Sequence, residues 1–184
     1  MEKISRERIF AELIKAVSGK NPEAIYPLIN SGGLAFLGIN KTPDFKYDSP
    51  DLRLFSLLNS TENPVNVLKS LKASNKYIDF TEKMLKLLPL KTETKEEIKN
   101  ALFLTDEYTV KALFEYQHRN DKLIKEIIRN KEPYLISHLA VSGKDLTDLG
   151  FRGKEIGQML EQLRREVVKD PQKNKKDILT ALTK

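Results

Sequence analysis

Residues 141–179 read VSGKDLTDLGFRGKEIGQMLEQLRREVVKDPQKNKKDIL. Four of the chain's eight glycines fall in this stretch, at Gly143, Gly150, Gly153 and Gly157, and none lies between Gly38 and Gly143. Glycine serves where the backbone takes positive φ or where another backbone must approach closely. Leu149-Gly150-Phe151-Arg152-Gly153 therefore predicts a tight turn between a short helix over 144–149 and a longer one over 153–168. Ile156, Met159, Leu160, Leu163 and Val167 recur at three and four, which gives the second helix one apolar face. A turn of this kind points the free N–H groups of the second helix outward, where they attract phosphate. Arg152 and Lys154 sit beside them. Two readings stay open: a helix-hairpin-helix-like phosphate reader, or an ordinary αα-hairpin whose glycines only let two helices meet.

Outward from the hairpin, the chain reads as helices throughout. Ser5 is placed to cap a first helix with Ile9, Phe10, Leu13, Ile14 and Val17 on one face, and Gly19 is placed to end it. Arg6, Arg8, Lys15 and Lys20 fall mainly off that face, as a solvated polar side would. Asn21-Pro22, Ser49-Pro50 and Asn63-Pro64 each set a cap residue before a proline, the signature of a helix start. Residues 40–49 turn to Pro, Asp, Lys, Asn and aromatics and predict a long loop or sub-domain boundary. A helix over 74–88 stops at Pro89, and Thr94 with Glu97 forms a capping box. Thr105 or Asp106 opens another helix, and Asp121 a further one that Glu132-Pro133 breaks. The pattern over 134–141 fits an extended segment or a short helix equally. Asp170-Pro171 ends the long helix, and Asn174 is expected to cap a last helix carrying Ile178, Leu179 and Leu182. The fold class is all-α: about ten short helices in one or two packed bundles. The divisions expected are 1–40, 41–132 for a helical body, and 133–184 for a tail containing the hairpin.

Composition narrows the function classes. A chain of 184 residues can bury a core without staples. It has no cysteine, so disulfides, thiolate chemistry and zinc–cysteine sites are excluded, in keeping with a cytoplasmic protein. No apolar run approaches membrane-spanning length, and the N-terminus has no signal-peptide core. A net charge of +6 makes polyanions plausible partners. His118 and His138 are too far apart for a helical metal pair. There is no HExxH, P-loop or GxSxG. Asp145 and Asp148 share one short helix, where Asp145 is most simply a first-turn charge favoured by the helix dipole.

The run hGKDLxxLGxxGKEIGxxLxxLxxxVxxDPxxNxKxxLL, with h apolar, closely resembles the C-terminal tail of bacterial class II tRNA nucleotidyltransferases, the CCA-adding enzymes. The opening, Ile4-Ser5-Arg6-Glu7-Arg8-Ile9 followed by Glu12-Leu13-Ile14-Lys15, resembles the start of the RNA-binding body in the same family. Many relatives read PGPxIG in the hairpin. Here it is Arg152-Gly153-Lys154-Glu155-Ile156-Gly157, which adds positive charge. The resemblance implies an all-helical body and tail that clamps the tRNA elbow and so sets the distance to the 3′ end, where a head domain adds C, C and A. The family's head carries an Asp-x-Asp pair for metal ions and a Gly-Ser strand turn for the triphosphate. No two aspartates here are two residues apart, and there is no Gly-Ser pair. The chain then corresponds to body and tail without head and upper neck, with no catalytic or metal site and no cofactor of its own. Mg²⁺, ATP and CTP belong to the parent transferase, and a head supplied in cis or in trans is an expected partner. The first helix around Ile4 and Ile9 is where removal of a head would expose apolar surface.

The candidate RNA-binding residues are Lys144, Arg152, Gly153, Lys154, Arg164, Arg165, Lys173 and Lys175. Arg164, Arg165 and Lys169 are expected off the apolar stripe of the long helix, to read backbone and ribose by shape. The alternative from another class is a helical protein-interaction module, with structural glycines and merely solvating charge. Clustering of these cations on one face would favour RNA; their dispersal beside an exposed apolar patch would favour the module.

Overall fold

In the computed structural model, residues 4–183 are described; their regular elements are all helical, with no strand among them. Eleven α-helices follow in chain order among the described residues. They are α1 (Arg6–Ser18), α2 (Tyr26–Asn30), α3 (Pro50–Leu58), α4 (Pro64–Ser70), α5 (Asn75–Leu87) and α6 (Lys95–Leu104). Then come α7 (Glu107–Tyr116), α8 (Lys122–Arg129), α9 (Gly143–Asp148), α10 (Lys154–Lys169) and α11 (Lys176–Ala181). Short 3-10 turns occur at Pro22–Ile25, Ala35–Leu37, Ile136–His138 and Pro171–Lys173. Asn21-Pro22 thus opens a 3-10 turn that runs into α2, and the undecided stretch at 134–141 contains one such turn.

The chain divides into two compact units. One holds the residues up to Pro89 together with Ala112–Arg119, and the other holds Leu90–Lys111 and everything from Asn120 onward. In the first unit, Leu13 and Val17 of α1, Leu54, Leu57 and Leu58 of α3, and Leu68 and Leu71 around α4 form one buried cluster with Ile25, Ile29 and Leu37. The loop before α3 is tied down. Tyr47 stacks on Tyr116 with ring centroids 5.7 Å apart, the Asp48 amide donates to Glu115 at 2.9 Å, and Ser56 donates to the Asp44 carbonyl at 2.9 Å.

In the second unit, Leu146 of α9, Leu163 and Val167 of α10, Leu179 of α11 and Val141 form the core of the tail. Phe151, Ile156, Met159 and Leu160 pack against it. A partly buried ion network joins α6 to α8 and the turn after it. Lys99 of α6, 2% exposed, meets Glu132 at 2.7 Å, and Lys95 reaches both Glu126 at 2.6 Å and Glu132 at 2.8 Å. Burial alone would raise the Glu132 pKa, but the two lysine partners outweigh it and hold the carboxyl below its usual range.

Helix ends follow the sequence signals unevenly. Ser5 accepts from the Arg8 amide at 3.2 Å, and Thr94 with Glu97 forms the expected reciprocal box. Asp106, not Thr105, opens α7 by accepting from the Thr109 amide at 2.8 Å. Asn174 does not cap α11. Its amide donates to the His138 carbonyl at 2.9 Å and its oxygen accepts from the Ala140 amide at 2.8 Å, so it pins the segment before α9 instead. Both its hydrogen-bonding groups are thus turned to that distant segment rather than to the start of α11.

Candidate nucleic-acid interface

The α9–α10 corner is built by glycine geometry. Gly150 takes φ +101° just past α9, where its amide donates to the Thr147 carbonyl at 3.0 Å and the Phe151 amide donates to the Leu146 carbonyl at 3.1 Å. Those two bonds make a Schellman end, and the Phe151 ring joins the cluster around Leu146, the apolar contact that accompanies such ends. Gly153, at φ 52° and ψ −123°, precedes α10 and offers no side-chain cap. The Arg152 amide instead donates to a Glu155 carboxylate oxygen at 3.3 Å. The mouth of α10 therefore carries its own carboxylate, and a phosphate there would have to displace Glu155 outward. Gly143 plays the other glycine role: a Cβ there would lie 3.3 Å from Ile156 Cγ2, so α9 packs closely on the first turn of α10.

The start of α9 is closed by its own side chains. Ser142 and Asp145 form a reciprocal cap, with the Ser142 amide donating to Asp145 at 2.7 Å. Asp145 also accepts from Lys176 at the start of α11. Lys176 first, then Ser142, hold its carboxyl well below the usual aspartate range. Through this pair the starts of α9 and α11 adjoin, which brings Lys144, Lys175 and Lys176 to one corner.

The predicted RNA-binding residues separate into three groups. Lys144, Arg152, Lys154 and Lys175 are exposed, and their side chains form no ion pair among the described residues; Gly153 is exposed beside them. Arg165 is exposed but engages Glu161 at 3.0 Å, and Lys173 is half-buried against Glu166 at 2.7 Å. Arg164 is a correction. It is 4% exposed, donates to Glu161 at 2.8 Å and to Asn100 at 3.1 Å, and lies 3.9 Å from the Phe103 ring centroid. Its guanidinium belongs to the packing of α10 on α6 and is withdrawn from any RNA-facing set. Position 164 follows Leu163 directly, and the apolar contact strip of α10 is wide enough to include it, a point that apolar periodicity alone does not reveal.

Residues 52–183 match the sequence model of the family described as tRNA nucleotidyltransferase domain 2. An all-helical body with a glycine-built hairpin and exposed cations at its corner is the class of molecule the fold defines. The chain belongs to this tRNA nucleotidyltransferase domain family. No curated protein matches it.

Proposed function

We propose that this chain is the tRNA-binding body and tail of a bacterial class II CCA-adding enzyme. It grips the tRNA elbow and holds the 3′ end at a fixed distance for addition of C, C and A. The observation that carries this reading is the family match over residues 52–183, with the exposed, unpaired Lys144, Arg152, Lys154 and Lys175 at the hairpin and tail corner giving it a chemistry. These cations read phosphate and shape rather than base sequence. Catalysis belongs to a nucleotidyltransferase head, in cis or in trans, that uses Mg²⁺, ATP and CTP in the cytoplasm.

The test is an anisotropy titration of the chain with full-length tRNA and with an acceptor-stem hairpin lacking the elbow, at two salt concentrations. The expected result is salt-sensitive binding to tRNA and little to the hairpin, weakened about tenfold or more by the double change Arg152→Ala/Lys154→Ala. Equal weak binding to both RNAs would reduce the reading to generic affinity for polyanions. The second reading, a protein-interaction module, is favoured by one observation. A groove of about 910 Å³ runs along α1, lined by Ile9, Leu13, Ile25 and Leu34 and edged by the exposed Ile4, Leu28 and Phe36. A chain that ignores tRNA even at low salt would favour that reading.

A further inference from the structure

The helix α8, KLIKEIIR, buries Ile124 and Ile127 and turns Lys122, Lys125 and Arg129 to solvent. The three cations stand at i, i+3 and i+7, which places them along one face over about 10 Å. Lys131, just past the helix, is exposed as well. The nearby acids leave most of this face unneutralised. Glu126 and Glu132 bond Lys95, and Glu132 also bonds the buried Lys99. Asp121 pairs with Lys125 at 2.8 Å. Lys122, Arg129 and Lys131 are left with no ion pair among the described residues. A shallow concavity of about 330 Å³ opens between Lys122, Lys125, Glu126 and Arg129.

A second feature marks the end of this helix. Lys131 adopts φ 51° as the left-handed residue of a Schellman end, its amide donating to Ile128 and the Glu132 amide to Ile127, both at 3.0 Å. Glycine is the unstrained choice at that place. A lysine held there keeps a cation at the end of the basic face against local backbone preference. The same end lies close to the tail: Lys99 bonds Glu132 and also points its ammonium at the Val168 carbonyl of α10, 3.5 Å away.

We propose that the outer face of α8, through Lys122, Arg129 and Lys131, is a second contact for the ribose–phosphate backbone of tRNA, separate from the hairpin and tail corner. This rests on the tRNA-binding reading above. Its chemistry is that of backbone reading, in which cations displace counterions without selecting bases.

The test compares three proteins in tRNA titrations over a range of salt: the unaltered chain, the triple variant K122Q/R129Q/K131Q, and the single variant K131G. The triple variant should lower the slope of log affinity against log salt by about two, at 0.7–0.9 per lost phosphate contact. Its circular dichroism and melting should match the unaltered chain. K131G relieves the left-handed lysine, so it should melt about 2–4 °C higher while binding tRNA about three- to tenfold more weakly at low salt. Better stability with poorer binding in one variant cannot come from misfolding. Unchanged slope and affinity in both variants, with tRNA binding intact in the unaltered chain, would overturn the α8 contact and leave the hairpin reading standing. Absence of tRNA binding by the unaltered chain would overturn both.

Discussion

Gly153 and Gly157 lie four residues apart and place opposite demands on the chain. Gly153 sits at φ 52° and ψ −123°, a region that side chains with a Cβ avoid, whereas Gly157 lies inside α10 with open space where a Cβ would go. Gly153→Ala should therefore destabilise the second unit by about 1–3 kcal/mol. Gly157→Ala should stabilise α10 by about 1 kcal/mol, the helix-propensity gap between the two residues. Urea melts of the two variants check both signs, and a stabilising Gly153→Ala would show that the turn does not need its observed backbone. The sequence made the importance of these glycines legible but not their separate roles, because φ depends on where the chain goes next. Arg164 shows the same limit for charge. Its neighbour Arg165 has the same composition signal, yet one is buried against Phe103 and Asn100 and the other is exposed. A rotation of about 100° about α10 separates a structural cation from a candidate ligand, and only packing fixes that rotation.

Helix ends tell a similar story at the scale of elements. Caps made by side chains close in sequence, such as Ser5 and the Thr94–Glu97 box, are readable because donor and acceptor are three residues apart. The ends of α4, α7 and α8 are not, since Lys72, His118 and Lys131 take the left-handed place where glycine would have announced itself. Asn174 was unreadable for the opposite reason: its partners, Ala140 and His138, lie more than thirty residues away. The cap at Ser142 combines both kinds, local through Asp145 and distant through Lys176. Because the Asp145 pKa is depressed in the fold, its contribution is present above the ordinary aspartate range near pH 4 and is lost as pH falls below it. Asp145→Asn should thus lower the urea midpoint at pH 7, and the gap to the unaltered chain should shrink at pH 3. A gap of equal size at both pH values would mean that the carboxylate charge does not hold α9 to α11. The Lys99–Glu132 pair makes a harsher test of the same unit. Lys99→Ala should cost about 3 kcal/mol, near the low end for breaking a buried ion pair, because Lys95 remains on Glu132.

For the whole molecule, net charge says little and pairing says much. The +6 total divides evenly, three to each unit, so it does not point to a binding face. Both units leave exposed cations with no ion pair among the described residues, such as Arg8, Lys15, Lys41 and Lys86 in the first; in the second they gather by element, with Lys144, Arg152, Lys154 and Lys175 at or beside the starts of α9, α10 and α11, and Lys122, Arg129 and Lys131 on or just past α8. Folding and RNA binding should then respond to salt in different ways. The exposed ion pairs of the fold, such as Lys83 with Asp79 and Lys111 with Glu107, are each worth at most about 1 kcal/mol. The apolar cores are indifferent to moderate salt. Raising sodium chloride from 50 to 200 mM should accordingly change the unfolding free energy by less than about 1 kcal/mol. Seven phosphate contacts, one for each cation at the helix starts and on or just past α8, would lose about three to four orders of magnitude in tRNA affinity over the same change. Parallel urea melts and tRNA titrations at the two concentrations separate the effects. A stability that collapses together with affinity would mean that the cations hold the fold rather than the RNA, and would favour the helical module with merely structural charge.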